Sequence, residues 1–179
     1  MAAGPDLGGH VKKLLAALGS IVLVGMASGC SSSATVVDNA TGGGLAHVGA
    51  TLDLKTLAGK TFQIALTQVV DPAQRSDGKP APSGKRYIAT LFKVTATSGT
   101  LSTDAGLDAN LVGSNGNTYL PAHVVLSQCA GHAAKVSLSS GKSGTTCVAY
   151  QVASSVKITQ VQFFPAAGSA SDYGQWLVP

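Results

Sequence analysis

The chain has 179 residues, of which 45% are hydrophobic and only 11% are charged, and its mean hydropathy is positive. This length suits one domain together with a targeting segment. The formal net charge of +4 is small and the aromatic residues do not alternate with the basic ones, so the composition disfavours a nucleic-acid partner.

The N-terminal segment has the layout of a secretory signal. The pair Lys12–Lys13 precedes a nearly uninterrupted apolar run of about 16 residues, from Leu14 to Gly29, which ends in small residues. A membrane-spanning helix needs about 20 apolar residues, so this run is too short for a permanent span. We expect residues 1–29 to be a signal peptide that is removed on export.

Cys30 stands where the apolar run stops and a run of serines begins. The sequence Ala27-Ser28-Gly29-Cys30 resembles a bacterial lipobox, with Ala27 in place of the usual leucine. In such signals a diacylglyceryl group is attached to the cysteine sulfur and the chain is cut just before it. The resemblance implies that an acylated Cys30 anchors the protein to a membrane. The alternative is an ordinary cleaved signal that happens to precede a cysteine.

Residues 30–46 have the composition of a flexible tether. They are rich in Ser, Thr, Ala and Gly and almost uncharged, so they cannot bury enough apolar surface to fold by themselves. A flexible segment of this length reaches about 20 Å. We expect the tether to hold a domain at 47–179 clear of the lipid headgroups.

From His47 onward, short runs of aliphatic, β-branched and aromatic residues alternate with Gly, Pro, Asn and Asp, which is typical of strands and turns. The run 85–97 is apolar at both odd and even positions, as expected of a strand covered on both faces. Asn115-Gly116 is a strong hairpin signal within the predicted turn 114–117. The predicted strands are 47–54, 60–71, 85–97, 107–113, 118–126, 144–153, 156–165 and 173–178.

These strands recur with turns about every 10–15 residues, and no segment beyond the signal has ten residues of helical periodicity. This spacing favours an antiparallel sandwich over a βαβ plan. The sequence therefore predicts an all-β protein with a β-sandwich of seven to eight strands over residues 47–179. The last strand is expected to bury Trp176, the alternative being a binding patch formed by Tyr173, Trp176 and Leu177.

The segment DPAQRSDGKPAPSGKR, residues 71–86, concentrates charge and proline in one predicted loop. A loop of this kind lies outside the sandwich, and its composition favours a solvated connector. The alternative is a loop that presents cations to an acidic partner or an envelope polymer. The predicted partner-binding residues are Arg75, Lys79, Lys85 and Arg86.

The remaining cysteines, Cys129 and Cys147, can pair in an oxidising compartment once Cys30 is acylated. The bond would close a loop of about 18 residues and stabilise the domain by about 3 kcal/mol. A metal site built from Cys129, His132 and Cys147 is the alternative, but the sequence has no CxxC or HxxxH pair. We expect a disulfide and neither metal nor other cofactor.

No motif favours catalysis. The chain has no glutamate and no GxSxG motif, and His47, His123 and His132 are not spaced to converge on one strand or helix. We therefore expect the protein not to be an enzyme. The aspartates near Gly, Pro or Ser are expected to cap turns: Asp71, Asp77, Asp104 and Asp108.

Four stretches carry a resemblance to a known family: GKRYIATLFKVTATSGTLS from Gly84, the hairpin NLVGSNGNTYL, the strand GKSGTTCVAYQVA and the terminal GQWLVP. They resemble the secreted immunogenic proteins of mycobacteria and related actinobacteria. The resemblance covers most of residues 47–179 and implies export and a telokin-like, atypical immunoglobulin fold. The family is largely of unknown function and implies no catalytic residues. The Cys129–Cys147 bond is not general to it and rests on this sequence alone.

These features together predict a lipoprotein on the extracytoplasmic face of the cell membrane. Its domain is expected to act by contact with an envelope polymer or protein, and not with nucleic acid. A structural or stress-related envelope component without a discrete ligand is the alternative, and a metal-handling lipoprotein that uses the histidines is a third possibility. The sequence leaves the oligomeric state open.

Overall fold

The computed structural model describes residues 37–38, 45–56, 58–165 and 173–179, and for 37–38 it describes the backbone only. The predicted signal peptide and Cys30 lie outside these residues. The described elements are twelve strands, one short α-helix and one 3-10 helix. The strands are β1 (Val37–Asp38), β2 (Ala46–His47), β3 (Thr51–Lys55), β4 (Thr61–Ala73), β5 (Lys85–Ala96), β6 (Leu101–Asp104), β7 (Ala109–Gly113), β8 (Thr118–Tyr119), β9 (Lys135–Leu138), β10 (Ser143–Ala153), β11 (Ile158–Phe163) and β12 (Gly174–Leu177); the helices are α1 (Ala105–Asp108) and the 3-10 helix (Ser127–Cys129).

The strands form two five-stranded sheets and one two-stranded sheet. The first sheet has the order β1-β3-β4-β5-β10, the second has the order β2-β12-β11-β7-β8, and β6 pairs with β9. Pairing is antiparallel except for the two-residue strands β1 and β2, which run parallel to their neighbours. The prediction of an all-β antiparallel sandwich is confirmed. None of the helices in the described part of the chain has the length and hydropathy needed to cross a membrane.

The two large sheets pack face to face through aromatic side chains. The ring of Phe92 on β5 lies 5.5 Å from that of Phe163 on β11 and 5.9 Å from that of Trp176 on β12. All three side chains are fully buried. Trp176 also donates a hydrogen bond from Nε1 to the Ala50 carbonyl oxygen at 3.0 Å. The prediction that the last strand buries Trp176 is confirmed, so the alternative of a terminal binding patch is wrong.

Strand β5 is covered on both faces, as its apolar pattern predicts. Ile88 and Phe92 point into the core between the large sheets. Tyr87 and Ala89 point to the opposite face, where they belong to a second, smaller hydrophobic core. Because successive side chains of a strand point to opposite faces, this double burial requires a cover on the outer face of the first sheet.

The hairpin predicted at residues 114–117 joins β7 and β8. The Gly113 amide donates to the Asn117 carbonyl oxygen at 2.9 Å, and the Asn117 amide donates to the Asn115 side chain at 3.1 Å. Gly116 has a φ of +77°, a conformation that glycine adopts without steric cost. The hairpin turn predicted from Asn115-Gly116 is therefore confirmed.

The structure differs from the predicted elements around residues 101–138. The sequence pattern does not predict β6 and β9. Each has only four residues, and each contains Ser or Thr, so its alternation of apolar and polar side chains is too short to recognise. The predicted strand 107–113 begins only at Ala109, since Asp104 caps α1 by accepting a hydrogen bond from the Gly106 amide at 3.1 Å. The predicted strand 118–126 ends at Tyr119, and the chain beyond it crosses the outer face of the first sheet.

The predicted boundary between tether and domain falls inside β2. Ala46 is buried in the main core and pairs with Trp176. Within the predicted tether, the backbone of β1 pairs with Leu52 and Asp53 of β3. The remaining predicted tether residues, 30–36 and 39–44, lie outside the described part, and Leu45 is exposed.

Candidate functional site

A disulfide joins Cys129 to Cys147, the pair that the sequence predicts. Cys129 ends the 3-10 helix and Cys147 lies on β10, with their Cα atoms 5.2 Å apart. The two sulfurs are bonded to each other, so neither is available as a thiolate ligand. The alternative metal site of Cys129, His132 and Cys147 is therefore wrong. Among the described residues, no group of three or more histidine, cysteine or acidic side chains is placed to hold a metal ion.

The disulfide fastens a covering segment, defined here as residues 121–134, to the outer face of the first sheet. Leu126 in this segment is fully buried in the second core, next to Tyr87, Ala89 and Ala149. Burial of one leucine contributes about 1.5–3 kcal/mol, so Leu126 is the main apolar contact that holds the segment down.

Backbone hydrogen bonds join the covering segment to β10 on one side and to the residues that follow β4 on the other. The Ala122 amide donates to the Ala149 carbonyl oxygen at 2.8 Å, and the Ser127 amide donates to the Gln74 carbonyl oxygen at 2.8 Å. The Val125 carbonyl oxygen accepts from the Ser76 amide at 3.0 Å. The covering segment therefore has a defined path although it is neither helix nor strand over most of its length.

A groove of about 670 Å³, called here the apolar groove, opens beside the disulfide. Helix α1 forms one wall, the covering segment forms the other, and β10 forms the floor. This volume lies within the range of about 300–1,000 Å³ that is usual for ligand sites. The lining residues are Asp104, Gly106, Leu107, Pro121, Ala122, His123, Val124, Val125, Cys129, His132, Ala134, Cys147, Val148 and Ala149.

The apolar groove has an aliphatic lining with few polar groups. Leu107 and Val125 line it, with 70% and 68% of their surface exposed, and neither contributes to the two hydrophobic cores. His123 and His132 line the same groove and are also exposed. His123 and His132 therefore line one groove, although their spacing in the sequence does not place them together on one strand or helix. His47 lies on β2 and is not among the lining residues.

A second groove, of about 390 Å³, is lined by the loop that the sequence singled out, and we call it the cationic groove. All four predicted partner-binding residues line it. They come together because the loop runs from the end of β4 back to the start of β5. The prolines Pro72 and Pro80 and the ring of Tyr87 contribute to the same lining.

Of the four cations, the two arginines are hydrogen-bonded to carboxylates. Arg86 donates to the Asp71 carboxylate (Nη2–Oδ2 2.8 Å) and also to the carbonyl oxygens of Ala153 and Val156, at 2.7 and 2.8 Å. The hydrogen bond to Asp71 raises the pKa of Arg86 above its ordinary value. Arg86 therefore fastens β4 and β5 to the turn before β11, which is a structural role.

The second pair, Arg75 and Asp77, lies within the loop at its surface. Arg75 donates to both oxygens of the carboxylate, at 2.8 and 2.6 Å. This side-chain hydrogen bond, together with the donation from the Lys79 amide, lowers the pKa of Asp77 to about 2. Lys79 has 75% of its side chain exposed and its Nζ lies 3.9 Å from that carboxylate, while Lys85 is exposed. The lysines are thus the cations that the groove presents most openly.

The aspartates divide between the predicted turn-capping role and other roles. Asp77 and Asp104 cap local amides, as expected. Asp108 is buried and accepts from the Thr103 hydroxyl at 2.6 Å and from the nearby Asp104 amide at 3.2 Å. Asp71 instead accepts from Arg86, so for Asp71 the prediction of a turn cap is wrong, because its partner lies on β5.

No family model matches the chain, and no curated protein sequence matches it significantly. Solved structures do match its fold. A candidate lipoprotein of Bacillus subtilis (ycdA) aligns with a TM-score of 0.51 and 11% identity, over 65% of this chain. The chain spans only 36% of the length of that protein.

Two further structures match over their whole length. The yjhA protein of Bacillus subtilis has a TM-score of 0.53 and 11% identity over 75% of this chain. MPT63, a secreted protein of Mycobacterium tuberculosis, has a TM-score of 0.51 and 15% identity over 82% of this chain. At these identities the likeness is one of fold alone, and it does not identify the narrower telokin-like type of sandwich.

Proposed function

We propose that this chain is a cell-envelope lipoprotein that displays a non-catalytic β-sandwich binding domain on the extracytoplasmic face of the membrane. The observation that carries the proposal is the disulfide between Cys129 and Cys147. Structural disulfides persist in oxidising compartments outside the cytosol. Of the three cysteines in the sequence, this bond leaves Cys30 for the lipid, at the position where a lipobox cysteine stands.

The structural neighbours support the proposed location. One is described as a candidate lipoprotein and another as a secreted protein, and both share the fold of this chain. The resemblance to the secreted immunogenic proteins of mycobacteria, including their telokin-like sandwich, agrees with export. The proposed mode of attachment is a diacylglyceryl group on Cys30 followed by the tether, since two acyl chains together give stable anchoring.

The proposed binding surface for an acidic envelope polymer or protein is the cationic groove. Its two arginines are held by Asp71 and Asp77, so they shape the loop, while Lys79 and Lys85 supply the charge that a partner would meet. Exposed cations of this kind steer an anionic partner and set its orientation more than they set its affinity. We propose contact, and no chemical reaction, as the activity of this surface.

Mass spectrometry of the native protein tests the anchor. We expect a chain that begins at Cys30 and carries a diacylglyceryl group, with a mass two hydrogens lower than that of the reduced form. A soluble product inside the cell that still contains residues 1–29 would refute the proposed location and anchor together.

Capture from cell-envelope extracts tests the binding surface. We expect a reproducible partner that is lost in the Lys79→Gln/Lys85→Gln double variant. The matched control is Lys93→Gln/Lys157→Gln, which removes the same charge from exposed lysines that do not line the cationic groove. Equal loss in both double variants would show nonspecific charge attraction. If no partner is captured reproducibly, the structural role without a discrete ligand replaces the binding role.

A further inference from the structure

We propose that the apolar groove binds a long-chain carboxylate, with the aliphatic chain along its walls and the carboxylate at His123 and His132. This site is separate from the cationic groove and does not depend on the proposed partner of that surface. It also does not depend on acylation of Cys30. The inference rests on the lining, on two exposed apolar side chains that belong to neither core, and on the hydrogen-bond donors of the histidines.

The lining matches an aliphatic chain better than a sugar or a nucleobase. Apart from Asp104, Gly106 and the two histidines, the lining consists of Leu, Val, Ala and Pro residues and the disulfide, and it contains no Phe, Tyr or Trp. Sugars and bases are commonly held by stacking on such large aromatic rings. Aliphatic walls gain free energy from each methylene group that they remove from water.

The exposure of Leu107 and Val125 is the second observation. They line the same groove, one on α1 and the other on the covering segment, with 70% and 68% of their surface in solvent. The backbone at each position is fixed by hydrogen bonds: Asp104 caps α1, and the Val125 carbonyl oxygen accepts from the Ser76 amide. Exposed apolar side chains that share one concave surface mark a binding site more often than scattered ones do.

Hydrogen-bond donors select the head group. No lysine or arginine lines the apolar groove, and the carboxylate that lines it, Asp104, accepts from the Gly106 amide. His123 and His132 line the groove, and each imidazole can donate a hydrogen bond through a ring N–H group. A carboxylate has two acceptor oxygens, so each of its oxygens can accept from one imidazole.

Titration with the fluorescent fatty acid cis-parinaric acid tests the site, because its emission rises in apolar surroundings. The full chain carrying Cys30→Ser is used, so that no acyl group of its own competes for the groove. We expect saturable binding that unlabelled palmitate displaces. Leu107→Gln or Val125→Thr should weaken it about tenfold, which is the order of effect for losing one apolar contact. The absence of saturable binding would overturn the proposal.

Leu120→Gln is the matched control, because Leu120 is 69% exposed and does not line the groove. It should leave the affinity for the probe unchanged, and an equal loss in this variant would show nonspecific adsorption. Because Leu107, Val125 and Leu120 are all exposed, these variants are expected to fold. Urea denaturation of each checks that point.

The role of the histidines is tested with the methyl ester of the same probe, which keeps the chain and removes the charge. His123→Phe/His132→Phe, which keeps a ring at both positions and removes the N–H donors, should weaken binding of the acid without weakening binding of the ester. Equal loss for both would overturn the assignment of the head group.

Two other occupants are distinguished in the same preparation. Binding to phosphatidylglycerol vesicles that requires Leu107, and that palmitate does not displace, would overturn the proposal in favour of a membrane surface. Concentration-dependent dimerisation that Leu107→Gln abolishes would overturn it in favour of a second copy of the chain.

Discussion

The guanidinium of Arg86 donates a hydrogen bond to the carboxylate of Asp71, with Nη2 and Oδ2 separated by 2.8 Å. The two residues are 15 positions apart and lie at the two ends of the loop segment 71–86. The same guanidinium donates to two main-chain carbonyl oxygens, of Ala153 and Val156. One side chain therefore ties the ends of β4, β5 and β10 together. A residue that sequence reasoning assigned to partner binding is committed to the fold.

Replacing Arg86 with Gln should destabilise the domain by about 1–3 kcal/mol, since two partly buried carbonyl oxygens and the exposed Asp71 carboxylate lose a charged donor. Urea denaturation followed by the emission of Trp176, the single tryptophan, measures this change. Arg75→Gln is the control, because the Arg75–Asp77 pair is exposed and such pairs contribute little. If both variants shift the midpoint equally, Arg86 has no special structural role.

Removing the disulfide should lower stability and free the covering segment. The bond closes a loop with a sequence separation of 18 residues, so Cys129→Ser/Cys147→Ser should cost about 3 kcal/mol. Hydrogen exchange at the amides of Ala122 and Ser127 should become faster, because both donate to residues across the second core. Unchanged exchange at these two amides would mean that Leu126 alone holds the segment.

Tyr150 should make the folded state sensitive to alkaline pH. It is fully buried, and burial raises its pKa above the ordinary value of 10.0. Above pH 10 the unfolded chain loses this proton while the folded chain keeps it, so the unfolded state binds fewer protons and stability falls as pH rises. The fall is at most about 1.4 kcal/mol per pH unit for one group.

Tyr150→Phe should remove this part of the pH dependence. The hydroxyls of Tyr150, Thr90 and Thr146 are buried without a well-directed hydrogen-bond partner among the described residues. At neutral pH the variant should therefore be as stable as the native domain or up to about 1 kcal/mol more stable. Urea midpoints at several pH values, compared between the two proteins, check both expectations; parallel curves above pH 10 would contradict the first.

Trp176→Phe should destabilise the domain by about 1–3 kcal/mol. The change removes the hydrogen bond from Nε1 to the Ala50 carbonyl oxygen and leaves space beside Phe92 in the main core. Thermal unfolding followed by circular dichroism measures the loss. Tyr173→Phe is a milder aromatic change at a half-buried position, and a loss as large in that variant would argue against the special role of Trp176.

Local pattern was enough to predict several features of this protein. The apolar residues at both parities of 85–97 predicted a strand covered on two faces, because side chains in a strand alternate whatever the fold. Asn115-Gly116 predicted a hairpin because the turn is a property of a few consecutive residues. Three cysteines, one of them beside a leader-like run, were enough to predict which two would pair.

Which residues line the two grooves, and which partners their charged side chains have, depends on the tertiary structure. Nothing near Arg86 in sequence shows that Asp71, Ala153 and Val156 will surround its guanidinium. Likewise, the run 118–126 has the composition of a strand, but only its first two residues form one. Burial of Leu126 and the nearby disulfide hold the rest against the outer face of the first sheet, where it lines the apolar groove. These outcomes depend on contacts between residues far apart in the chain, whereas alternation and turn chemistry act between neighbours, and only neighbours can be read directly from a sequence.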